Sequence, residues 1–130
     1  MSTDALQIIS DAMESLGLNY AFAEYKVKKG EGAPLMYFVG EYQEIVPLYE
    51  NGLQESSFLL TGFTRGEWLA LEEAREAICN YFNRISGKTV IAENGSAVAI
   101  FYANSLVVPT GDAELKRIQI NLDIKEWRVN

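Results

Sequence analysis

Histidine is absent from the 130 residues, and cysteine occurs once, at Cys79. Without histidine the commonest general base and the commonest metal ligand are missing. Neither a Ser-His-Asp nor a Cys-His arrangement can be assembled. One cysteine closes no intrachain disulfide, which suits a reducing cytoplasm. Basic residues are also few: eleven Lys and Arg stand against eighteen Asp and Glu, for a net charge of -7. Nucleic acid is held by neutralising its phosphates, and the densest basic group, Lys26, Lys28 and Lys29, is too small a footprint. No run of about 18 apolar residues is present, so no membrane span is expected. No basic n-region leads into an apolar stretch, so no signal peptide is read. Neither GxGxxG nor a P-loop occurs, and Gly30-Glu31-Gly32 has no helix after it to receive a phosphate.

What remains is an ordinary globular composition, 48% hydrophobic and 22% charged, in a chain long enough to bury a real core. With no repeat, linker or low-complexity run, residues 1–130 read as a single domain. Residues 3–16 read as a helix. Thr3 is placed to cap it, Gly17 to stop it, and Leu6, Ile9, Met13 and Leu16 form one apolar stripe. Asn19 to Val27 reads as a strand, and 28–34 as a glycine- and proline-marked loop. Leu35 to Val46 reads as a second strand, with Gly40 marking a bulge or a close backbone approach. Pro47 ends it, Asn51-Gly52 turns the chain, and Gln54 to Phe63 returns.

Thr64-Arg65-Gly66-Glu67 has the spacing of a capping box. A helix is predicted over 66–86, with Trp68, Leu71, Ala74, Ile78, Tyr81 and Ile85 at helical spacing and Gly87 as its stop. Strands Thr89 to Glu93 and Ser96 to Tyr102 flank the hairpin signal Asn94-Gly95. Residues 103–113 read as a loop carrying the apolar insert Leu106-Val107-Val108-Pro109. In the last strand Ile118, Ile120, Leu122 and Ile124 alternate with polar residues, as in a sheet wet on one face. The order is α-β-β-β-α-β-β-β. Strands arriving in hairpins favour an α+β fold, with a mostly antiparallel sheet and two helices.

The search for chemistry finds no catalytic, cofactor-binding or metal-binding constellation. Glu72, Glu73 and Glu76 read as a solvated helix face beside Arg75. Asp112, Glu114 and Asp123 lack the spacing of a calcium loop. Cys79 reads as buried filler. A carboxylate pair of glycosidase type is not selected by any feature. The aromatics, seven Tyr, six Phe and two Trp, sit among acids rather than bases, which disfavours base stacking and leaves core packing or a protein interface. The insert at 106–109 has two readings, tucked inward or docked on a neighbour. The 35–63 hairpin carries Tyr42, Ile45, Val46, Leu48 and Tyr49 toward its tip, as core or as a projecting arm.

Four stretches, taken in order, carry a resemblance. They are Leu16 to Tyr25, Pro34 to Tyr42, Phe58 to Thr64 leading into the acidic helix, and Pro109 to Arg117 with the strand that ends near Trp127. Together they resemble the small neck proteins of long-tailed phages and prophages of Gram-positive bacteria, the tail terminator or tail-to-head joining family. The likeness spans nearly the whole chain in pattern and order. It implies an α+β fold with no catalytic residues and no cofactor. It implies a homo-oligomeric ring, commonly six-fold, that caps the tail tube and meets the head connector. The ring would be assembled in the host cytoplasm and carried in the virion, with DNA passing through unread. The family's contacts lie in variable loops, so the interface candidates follow by position: Lys28, Lys29 and Glu31 in 28–33, Leu48 and Tyr49 in 47–53, and Leu106, Val107, Val108 and Asp112 in 104–112. The competing readings are a module binding a small ligand or peptide on an aromatic sheet face, and an enzyme using carboxylates alone.

Overall fold

The computed structural model describes residues 1–27, 29–45 and 52–128. Helix α1 (Thr3–Ser15) leads into strand β1 (Tyr20–Phe22), then β2 (Met36–Ile45) and β3 (Leu53–Thr64). Helix α2 (Trp68–Tyr81) follows, then β4 (Lys88–Ile91), β5 (Ala97–Val107) and β6 (Lys116–Trp127). The strands form one six-stranded sheet in the order β1-β2-β3-β6-β5-β4. Among the described residues only the β1–β2 pair is parallel. The fold is α+β in the expected element order.

One register explains the core. Phe38 lies across Gly62 and Ile118, Leu60 across Ile120, and Phe58 across Leu122 and then Tyr102. Because side chains alternate between faces, all of these point the same way. On that face they meet Ala5, Ile9, Ala12 and Met13 of α1 and Leu71, Ala74 and Ile78 of α2 in a single buried cluster. Both helices therefore cover one face, and the described chain lays no helix on the other. Two glycines let aromatic rings lie flat on the sheet. A Cβ on Gly40 would fall 2.5 Å from Phe58 Cζ, and one on Gly62 would fall 2.4 Å from Phe38 Cε1.

Several local expectations are corrected. Ser2, not Thr3, caps α1: its hydroxyl accepts from the Ala5 N–H at 3.2 Å. The capping box does not form. Thr64 is the buried end of β3, and its Oγ1 accepts from Gly66 N at 3.0 Å, two residues on, so α2 starts at Trp68 without a side-chain cap. The helix stops at Tyr81 because Asn83 captures the Ile85 and Ser86 N–H groups with its side chain, which favours a turn over another helical bond. Ile85 is consequently 91% exposed, not on the core stripe.

The first strand is only three residues long. It ends at Ala23, which takes φ 71 and turns the chain away. The segment from Ala103 is not a loop throughout. A bulge between Tyr102 and Asn104 absorbs one residue, and β5 then continues to Val107. The β4–β5 turn holds three residues, 93–95, closed by Ala92 N to Ser96 O at 2.7 Å, rather than the two of a tight Asn-Gly hairpin.

Candidate protein-contact site

Met36, Thr64, Lys116 and Val107 lie at one end of the sheet. The 29–33 loop, the start of α2 and the 108–115 segment all emerge from that end. Gly52 and the 93–95 turn lie at the opposite end.

A concavity sits at the first end. It is an open groove of about 440 Å³ whose walls include Trp68, Val107, Val108, Pro109 and Asp112. The sequence brings these together for identifiable reasons. Thr64 ends β3 two residues before the Gly66 turn, which sets Trp68 on the first turn of α2. There it keeps 39% of its surface exposed. Past its bulge, β5 carries Val107 out beyond the core, and Val107 remains 54% exposed although it pairs with Ile118. The return to β6 is braced by the backbone. Thr110 Oγ1 lies 2.8 Å from Leu115 O and accepts from Asp112 N at 3.0 Å, with Gly111 at φ 82 between them. Arg117 donates to Pro109 O at 2.8 Å.

Asp112 closes the groove's rim. Its carboxylate accepts the Glu114 N–H at 3.0 Å and pairs with Arg65 at 3.4 Å. The Glu114 N–H, with Arg65 adding to it, holds the Asp112 carboxyl below the usual carboxylate range. An apolar floor with one aromatic anchor and a charged rim is the composition of a protein-contact patch.

The candidates named from the sequence are divided by the structure. Val107, Val108 and Asp112 converge on the groove. Leu106 lies on the opposite face of β5, across from Gln119, and is half exposed. Lys29 and Glu31 are exposed in the 29–33 loop. Lys28, Leu48 and Tyr49 lie outside the described residues. Sequence reading missed Trp68 and Arg65 as parts of this patch, because Trp68 fits the helical core stripe as well as it fits a surface.

The helix-free face holds a second feature. Tyr25, Tyr37 and Phe63 form a row along a shallow cleft of about 390 Å³, Tyr25 tilted by 41° against Tyr37 at 5.1 Å between centroids and Tyr37 stacked on Phe63 at 5.2 Å. Arg117 borders it, and its Nε is buried without a hydrogen-bond partner. On the helix side Tyr20 is pushed up to about 12 by burial. Glu72 and Arg75 pair at 3.0 Å along α2. Among the described residues no three His, Cys, Asp or Glu side chains gather as a metal site, and no helix is long and apolar enough to cross a membrane. No family model matches the chain, and no curated protein matches it.

Proposed function

We propose that the protein is a structural neck component of a phage or prophage. It caps a tail tube and joins it to a head connector as a homo-oligomeric ring. The observation that carries this reading is the groove of Trp68, Val107, Val108 and Pro109, an apolar patch with a braced backbone and a charged rim. The groove is open and largely apolar, so a protein side chain can seat in it. The resemblance of the ordered stretches Leu16 to Tyr25, Pro34 to Tyr42, Phe58 to Thr64 and Pro109 to Arg117 to the neck family supports the same reading. So does the presence of loops at both ends of the sheet, which a part placed between two neighbours requires.

The test is assembly with purified tail tubes. Wild-type protein should cosediment with tubes as an oligomer. Trp68→Ala should weaken that association by tenfold or more, as loss of an aromatic anchor does, without loss of fold. Undiminished binding by Trp68→Ala and Val107→Asp together would remove the groove from the interface.

A second reading is favoured by the Arg117 Nε and the Tyr25–Tyr37–Phe63 row, which suit a small ligand with a flat ring and an anionic group. Calorimetry with aromatic carboxylates distinguishes it: saturable heat lost in Arg117→Gln would support it.

A further inference from the structure

The last strand of the sheet, β4, has a neighbour only in β5 among the described residues. Ala92 donates to Ser96 O, so Ala92 faces β5. By the alternation of an antiparallel ladder, Val90 and Lys88 face it too, and Thr89 and Ile91 turn their N–H and C=O groups outward. Among the described residues nothing covers these outward groups. Val90 is 41% and Ile91 71% exposed, one on each face, and no proline interrupts the strand. The single charge, Lys88, does not stand across the edge: its ammonium rests over the Tyr81 ring at 5.3 Å on the helix side. Beside Val90, on that same side, a cleft of about 300 Å³ opens between β4 and α1, with Ile8, Val98 and Asp4 in its walls.

We propose that β4 is a dimerisation edge and that its occupant is β4 of a second copy, antiparallel about a two-fold axis centred on Val90. Symmetry and hydrogen bonding select this register. A two-fold axis perpendicular to the sheet keeps each residue on its own face, so residues of equal parity must pair. Centring on Val90 sets Thr89 against Ile91 of the second copy, and the reverse. All four outward-facing residues then exchange both of their bonds. Shifting the centre to Thr89 brings in Gly87, whose N–H is spent on Asn83 O. Shifting it to Ile91 brings in Glu93, which lies in the turn.

In the chosen register Val90 packs on its own copy over the cleft, and Ile91 covers Thr89 on the open face. The backbone of Lys88 of the second copy falls across Ala92, which shares a cleft wall with Asp4. Such a contact is isologous and closes at two. It concerns the free protein before any tube is met, and it stands or falls apart from the neck assignment.

The test is cysteine cross-linking in a Cys79→Ser background, with sedimentation alongside. In an antiparallel pair the residue between two bonded pairs has Cα atoms about 4.5 Å apart, within disulfide reach. Val90→Cys should therefore give a covalent dimer under mild oxidation. Ile91→Cys, which faces Thr89 rather than itself, should give several-fold less. Sedimentation of the wild type should rise from one chain to two with concentration. Ile91→Pro, which removes an outward donor and no β4–β5 bond, should abolish the rise while its circular dichroism is kept. Ile91→Lys should do the same if the proline variant folds poorly. Equal cross-linking at residues 90 and 91, a wild type of one chain at all concentrations, or a dimer that survives both Ile91 variants would overturn the proposal.

Discussion

The two edges of the sheet are built in opposite ways. At the β1 edge the chain spends one outward group on itself. Phe22 O accepts from Glu24 N at 2.9 Å, just past the last β1–β2 rung from Ala23 N to Gly40 O at 2.8 Å, and the Phe22 ring stacks on Tyr42. Ala23 takes a left-handed conformation to do so, which is unfavourable for a residue with a Cβ. Beside this edge the Phe38 and Phe58 rings lie on glycine, so β1, β2 and β3 form a tightly packed half. At the β4 edge no described residue pairs with the outward groups, and two aliphatic side chains, Val90 and Ile91, are exposed. A strand edge is closed at some cost in local strain where pairing is to be avoided, and left open where pairing has a use.

Replacements should separate the two halves, beginning with the largest effect. Gly62→Ala forces a Cβ into the Phe38 ring, and Gly40→Ala forces one into Phe58. Each should lose about 1–3 kcal/mol in urea unfolding, as overpacked cores do, whereas Ile91→Ala at the other edge should stay within about 0.5 kcal/mol. Equal losses at both edges would erase the contrast. Glu126 is a buried carboxylate that accepts from the Ser2 amide at 3.2 and 3.3 Å and from the Ser2 hydroxyl, tying α1 to β6. Glu126→Ala leaves those donors without their partner and should cost about 1–3 kcal/mol on the same assay. Ala23→Gly relieves the left-handed strain and should raise stability by up to about 1 kcal/mol, sharpening the account of the closed edge.

Two pH effects are smaller. Tyr20 has its folded pKa raised from 10.0 to about 12, so its neutral phenol contributes fully below pH 10, and the contribution fades as pH climbs toward 12. Tyr20→Phe should flatten the fall in melting temperature across that window. Asp112 has its folded pKa lowered, so its contribution is present above the ordinary carboxylate pKa and is lost as pH falls through the folded value. Because the group is exposed, the change should show as local loosening of 110–115 in amide exchange and barely in the global melt.

The sequence carried the sheet where one face is buried and the other wet. Ile118 to Ile124 alternate cleanly, and the structure pairs them on both sides. It carried α1 by the Ile9 and Met13 spacing. It failed where a side chain overrules local pattern: Asn83 ends α2 early, and Thr64 serves the strand rather than the helix cap. It also failed at β5, because Ala103-Asn104-Ser105 reads as polar loop. Those residues continue the strand past a bulge, where Asn104 accepts from Asn121 at 2.6 Å. The patch was legible in part. The apolar run 106–109 stands out, but that Leu106 faces away from Val107 and Trp68 faces toward it depends on strand register and on where α2 begins. Neither the buried Glu126 nor the unguarded β4 edge has any sequence signal, since both are set by which strands become neighbours.

The central claim is that these surfaces meet proteins of a tail. Electron microscopy of polymerising tail tubes with and without the protein tests it most directly. A ring seated on tube ends, with tube growth arrested and the effect lost in Trp68→Ala with Val107→Asp, is the result the account predicts. Tubes of unchanged length with bare ends, in the presence of excess folded protein, would contradict it.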